Sequence, residues 1–314
     1  MTRQPSQPVT APRTSPIGAF HVLSASALWG TTGTVATFAP AAASPVSIGA
    51  ATMGIGGLLT FALAARRSFA VLRSRPAVVR AALIGGVCVL IYPLAFYSAM
   101  AYAGVAIGTL VNIGCSPLFA ATYERLFDGT RLSRRWALAT AAAVTGCIIL
   151  IGGGHPVGGT DGDLAIGVLL GVVGAATYSG FTYIATRIMR TGHSSRAAMG
   201  TIFGLGAIGL LPILVITGGP LFSQPEGGYV VGYLAVVPMC LAYLLFGAGI
   251  RRVGASTGTT LSLFETIVAT GLSIIVVGET LSALSWGGMA LIGIGLVIIT
   301  VGSSTSPRRP RPDR

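Results

Sequence analysis

The sequence predicts an all-α integral membrane protein, with about ten transmembrane helices arranged as two inverted five-helix repeats. Composition, the spacing of the arginines and a weak self-similarity between the halves predict it. The 314 residues are 53% hydrophobic and only 9% charged, with a mean hydropathy of +0.80. A soluble domain carries roughly a quarter charged residues, so the composition places this chain in a bilayer. The 45 glycines suit that solvent, because small residues let apolar helices approach where no hydrophobic force drives them together.

A formal charge of +12 invites a nucleic-acid reading, and the positions of the charges remove the need for one. All 20 basic residues are arginine, clustered at Arg3–Arg13, Arg66–Arg80, Arg125–Arg135, Arg187–Arg196, Arg251–Arg252 and Arg308–Arg314. Between the clusters, the loops Ala39–Pro45, Ala101–Gly104, Gly153–Asp163, Gly218–Gly228 and Glu279–Ser282 carry none. This alternation is the positive-inside pattern of a multispanning protein of the cell membrane, with both termini in the cytoplasm.

Runs long enough to cross about 30 Å of hydrocarbon fall near 17–38, 46–65, 77–100, 105–125 and 136–152 in the first half. In the second half they fall near 164–186, 197–217, 229–249, 255–278 and 284–302. Residues 1–16 read as a disordered cytoplasmic tail, 17–153 as the first repeat, 164–302 as the second and 303–314 as a basic cytoplasmic tail. The cysteines, Cys88, Cys115, Cys147 and Cys240, all lie in expected spans as small packing residues. With three scattered histidines they offer no metal or cofactor site, and no nucleophile–base constellation marks an enzyme.

Sliding the first half along by 149–150 residues lays Phe96, Gly104, Gly108 and Thr109 on Phe246, Gly254, Gly258 and Thr259. After a one-residue slip, Ala120 and Gly146 fall on Ala269 and Gly295. Five spans per half is an odd number, so the second copy enters the membrane upside down. Inverted repeats place a substrate site near midplane between the halves and provide two related conformations for alternating access.

Three stretches carry a family resemblance: "ALWGTTG" at 27–33, "GVAIGTLVNIGCSPLF" at 104–119 and "LSLFETIVATGLSIIVVGETLS" at 261–282. Together they resemble the ten-helix EamA-type members of the drug/metabolite transporter superfamily, over essentially the whole chain. In that family the ninth span commonly carries Glu-Pro, followed by Gly-Glu near its outer end. Glu265 and Gly278–Glu279 match, whereas Thr266 replaces the proline, which survives in the first half as Pro117. A helix break at Thr266 therefore does not follow from the sequence. The resemblance implies a small-molecule transporter, often an exporter of amino acids or related metabolites.

Glu265 is the acidic residue best placed to act. It lies about ten residues from the expected cytoplasmic end of its span, roughly 15 Å deep at 1.5 Å per residue. Inserting a carboxylate there costs about 2.5–3.5 kcal/mol, so it should face a cavity or a partner. There it would couple protons or recognise a cationic group; the competing reading is a protonated glutamate bonding helices together. Ser262 shares its face. Asn112, Thr109 and Ser116 form a polar stripe on the fourth span, fit either to orient a polar substrate or to bond helices together. Trp29 and Tyr178 are repeat-equivalent aromatics, suited to lining a cavity, supporting a cation or plain packing. Tyr97, Tyr233 and Tyr243 repeat the argument more weakly.

The expected cavity is bounded by the first, third, fourth, sixth, eighth and ninth spans. The fifth and tenth, with Gly146 and Gly295, are expected to pack or to pair two copies as a homodimer. No arginine lies at midplane, which argues against phosphate-bearing substrates. A zwitterionic or neutral metabolite, exported with proton coupling, fits best; a proton-coupled exporter of organic cations is the alternative.

Overall fold

The computed structural model describes residues 15–130, 132–152, 161–277 and 282–301. The two tails, the loop at 153–160 and the Gly278–Glu279 pair lie outside them. Among the described residues every regular element is helical.

The chain enters α1 (Pro16–Trp29) through an N-cap in which Ser15 Oγ accepts Gly18 N–H at 3.4 Å. Pro16 stands at the first helical position, where its missing donor has no intrahelical partner anyway. The expected first span is interrupted: α1 ends at Trp29, the chain turns at Gly30–Thr31, and α2 runs over Thr32–Ala36. Ser44 and Pro45 repeat the start signal for α3 (Pro45–Leu63). The arginine-bearing connection that follows holds a helix of its own, α4 (Ala65–Leu72). It buries Ser68 and Val71 while leaving Arg66 and Arg67 exposed, the spacing of a short amphipathic helix.

The expected loop at Ala101–Gly104 is not a loop. Residues of the third and fourth spans share one helical assignment, α5 (Pro76–Asp128), 53 residues long. A straight helix of that length would reach about 80 Å, far more than a bilayer's core. Instead it folds back on itself. A Cβ added at Gly108 would sit 2.7 Å from Met100 N, and both Phe96 and Asn112 adjoin Gly174. Ala101, Ala103 and Gly104 offer little side-chain bulk against so tight a reversal. The second half makes the same hairpin with an open joint at Gly254, where φ is 84° and glycine meets no Cβ penalty.

Next come α6 (Arg134–Gly152), α7 (Asp161–Arg190), α8 (Ser195–Thr217) and α9 (Pro225–Leu234). A π-helical turn at Ala235–Leu241 leads into α10 (Ala242–Val253). The ninth span is split into α11 (Ala255–Leu261) and α12 (Phe264–Leu272) and ends in a second π-helical turn, Ser273–Val277. The last helix is α13 (Ala283–Val301).

Seven helical stretches among the described residues are long and apolar enough to cross a membrane: 45–63, 76–103, 164–190, 195–217, 225–253, 255–276 and 283–300. The other three expected spans are helical too. The first is interrupted at Gly30–Thr31, the fourth is the return arm of α5, and the fifth is α6.

Glycine contacts reveal the internal symmetry. Gly146 of α6 rests on Gly288 O and Ile292 N of α13, and Gly295 of α13 rests on Ala139 O and Ala143 N of α6. An offset of 149 residues converts one contact into the other. The same offset converts the seat of Gly18 on Arg252 into that of Gly167 on Ala103. Such reciprocity requires a pseudo-two-fold axis between the halves, with α6 and α13 antiparallel. It also shows these glycines packing within one chain.

Candidate functional site

Both repeats contribute to a cavity of about 60 Å³. One water needs about 10–15 Å³ by this kind of measure, so several waters or a small polar solute fit. Glu265, Ser262, Tyr178 and Tyr243 line it from the second repeat; Trp29, Tyr97 and Asn112 line it from the first. The remaining expected residues do not. Ser116 is turned to packing: its Oγ donates to Asn112 O at 2.6 Å, and its carbonyl accepts from Ser179 Oγ at 2.7 Å. Thr109 is half-buried and absent from the lining. Tyr233 instead donates to Thr31 Oγ1 at 2.9 Å, tying α9 to the interruption in the first span.

Glu265 sits in the first turn of α12, just beyond the break. The break is a tight 3₁₀-type turn: Leu263, Glu265 and Thr266 donate to Thr260, Ser262 and Leu263, each three residues back. It forms without proline, and Thr266 N–H takes part in it. Its position coincides with the one-residue slip between the repeats, since Thr109–Ala120 spans one residue more than Thr259–Ala269. Three 3₁₀ steps at about 2.0 Å, against about 1.5 Å in an α-helix, recover about 1.5 Å, the rise of the missing residue. Glu265 is half-buried, and no ion pair among the described residues engages it.

Trp29 is held from two sides. Its Nε1–H donates to Pro238 O at 2.7 Å, inside the π-helical turn, where helical hydrogen bonding is irregular. Its ring packs against Tyr243 at 4.7 Å and Phe246 at 5.0 Å, and meets Tyr178 edge-on at 6.3 Å. Tyr92, Tyr97, Tyr178 and Tyr243 line the same cavity as the Glu265 carboxyl. Aromatic faces beside a carboxylate make a surface suited to a cation.

Asn112 Nδ2 is buried on the cavity wall without a hydrogen-bond partner among the described residues. The buried hydroxyls of Thr52 and Tyr178 have only the neighbouring hydroxyls of Tyr97 and Ser262 beside them, outside good hydrogen-bond geometry. An orphaned buried polar group costs about 1–3 kcal/mol, so Asn112 Nδ2 and two poorly satisfied hydroxyls around one cavity need a reason. No basic side chain joins the described lining.

Sequence reasoning missed part of the wall. The second span supplies Thr52 and Met53, a correction to the six spans expected, and the third adds Tyr92 and Phe96. Tyr92, Phe96 and Tyr97 fall at i, i+4 and i+5, a one-face aromatic spacing that was readable. Thr52 gave a weaker signal, as one hydroxyl in a glycine-rich span. Pro238 and Met239, both within the π-helical turn, complete the wall.

An all-helical, repeat-built membrane protein with a largely apolar cavity between its halves, carrying a few polar groups, has the architecture of a small-molecule transporter. The comparisons agree. The EamA-like transporter family matches residues 16–152 and again 165–301, and the chain belongs to that family. It is 35% identical over 297 residues to the uncharacterized transporter YwfM of Bacillus subtilis (strain 168), covering 94% of this chain and 96% of that protein. With the uncharacterized inner membrane transporter YedA of Escherichia coli (strain K12) it shares 26% identity over 207 residues, 64% of this chain and 63% of YedA. A solved crystal structure aligns with a TM-score of 0.71 at 22% identity, over 90% of this chain and 96% of that one, a likeness of fold.

Proposed function

We propose that this protein exports small zwitterionic or neutral metabolites, amino acids and related compounds, across the cell membrane by alternating access, with Glu265 coupling export to proton entry. Both termini face the cytoplasm in this reading. The observation that carries it is a half-buried carboxylate without a charge partner among the described residues, set among aromatic rings in a cavity shared by both repeats. Out of water, a carboxylate needs either a proton or a cation beside it. A substrate ammonium and a proton would compete for Glu265, and that competition is the coupling. The polar atoms of Thr52, Asn112 and Tyr178 supply hydrogen bonding that a polar substrate would satisfy after rearrangement.

Export of organic cations is the second reading, favoured by the aromatic lining. Purified protein in proteoliposomes, driven by a pH gradient and offered amino acids or cationic dyes, separates the two. Glu265→Gln should keep the fold while losing accumulation of substrate against its gradient. Proton-driven accumulation by that variant would make the carboxylate structural. The orientation is checked separately, by labelling single cysteines placed in the 153–160 segment; access from the cytoplasm would invert it.

A further inference from the structure

Glu124 lies near the end of α5 and is only 4% exposed, although it stands among arginine-bearing connections. Its Oε1 accepts Ala255 N–H at 2.8 Å and Ser256 N–H at 3.3 Å, while Oε2 accepts Ser256 Oγ–H at 2.6 Å. These donors open α11, so a carboxylate of the first repeat grips the start of the split span that carries Ser262 and Glu265. One turn on, Asp128 accepts from Tyr183 OH at 3.0 Å and pairs with Arg190 of α7 at 2.5 Å.

A small apolar cluster surrounds this junction, separate from the main core. Ala120 of α5, Tyr183 of α7 and Ala255 of α11 meet there, with Tyr123 and Ile184 packed against them. Hydrogen bonds to a charged group in such surroundings are stronger than in water.

Burial is lopsided along the pathway. In α11, Ala255, Ser256, Gly258, Thr259, Thr260 and Leu261 are buried, whereas α12, beyond the break, has no buried residue. The first span shows the same step: α1 buries six residues and α2 none. Both interrupted spans are therefore more tightly packed on the arginine-bearing side of their breaks than beyond them. The 149-residue offset places Ser273 where Glu124 stands, so the pseudo-symmetric position carries no carboxylate.

We propose that Glu124 is the latch that closes the arginine-bearing end of the transport pathway. Its carboxylate holds α11 against α5, and the three bonds must release before the cavity opens there. This rests on alternating access but not on any role for Glu265, and it is tested without substrate or a pH gradient.

The test uses full-length protein lacking native cysteines, with Thr32→Cys as a reporter in the cavity, reconstituted in vesicles of defined orientation. A membrane-impermeant thiol reagent is added to either face. Glu124→Ala should raise the labelling rate from the arginine-bearing face about tenfold and lower it from the opposite face. Ser256→Ala removes one bond of the three and should move both rates in the same directions, by about threefold. Arg190→Ala, which breaks only a half-exposed ion pair, should change neither rate by more than about twofold. Folded Glu124→Ala protein with unchanged rates would overturn the latch. So would equal acceleration from both faces, the mark of general loosening. Should Glu124→Ala not fold, Ser256→Ala decides, and unchanged rates in that variant are equally fatal.

Discussion

Replacing Trp29 with phenylalanine separates the two forces that hold the central aromatic in place. The smaller ring keeps an apolar face against Tyr243 and Phe246, now at 4.7 and 5.0 Å from the indole, but loses the 2.7 Å bond to Pro238 O. The direct loss is about 1 kcal/mol, and the orphaned carbonyl adds about 1–3 kcal/mol where water cannot replace the donor. Pro238 lines the cavity, so water reaches its neighbourhood and the lower part of that range applies. We expect a total of about 2 kcal/mol. At roughly 2 °C per kcal/mol for a chain of this size, the apparent Tm in detergent should fall by about 4 °C. The comparison needs one fixed heating rate, because membrane proteins of this size commonly unfold irreversibly. In transport assays KM should rise a few-fold with little change in kcat, since the ring remains but its orientation loosens. An unchanged Tm in Trp29→Phe, beside a clear drop in Trp29→Leu, would show that ring packing alone positions this residue.

Two further outcomes follow from the same geometry. Gly146→Ala and Gly295→Ala should each destabilise by about 1–3 kcal/mol and by nearly equal amounts, because both Cβ atoms would press into the facing backbone at 2.6–2.7 Å. Thermal scans showing one variant silent would break the reciprocity of the halves. Asn112→Leu removes the orphaned Nδ2 at similar volume, so it should raise the Tm while lowering transport several-fold. Full transport activity in that variant would reduce Asn112 to packing.

The site was legible in the sequence where one residue violated its surroundings. Glu265 in an apolar run, Asn112 in another and aromatics at repeat-equivalent positions all converge on the cavity. Thr109 and Ser116 did not, because a hydroxyl in a membrane helix has a partner within reach on its own backbone, as Ser116 has at Asn112 O. The ends of elements were harder to read. Arginine marks a connection but not its conformation, which hides α4, and the small residues at Ala101–Gly104 read alike as a loop or as a tight helical reversal. The latch at Glu124 was invisible for a related reason. An acidic residue at a span end looks like ordinary surface until the other repeat folds over it.

The proline missing from the ninth span changes what kind of joint this is. A proline joint is permanent, because its imide has no hydrogen to give back to the helix. At Ser262–Leu263 every donor is intact, and Thr266 uses its own. The joint can therefore anneal. A 3₁₀ step turns about 120° and an α-helical step about 100°, so rewinding three steps would swing Glu265 by roughly 60° about the axis of its own helix. Rewinding also gives back the rise of about 1.5 Å that the tight steps supply, so the carboxylate turns only as α12 rotates and slides along its own axis.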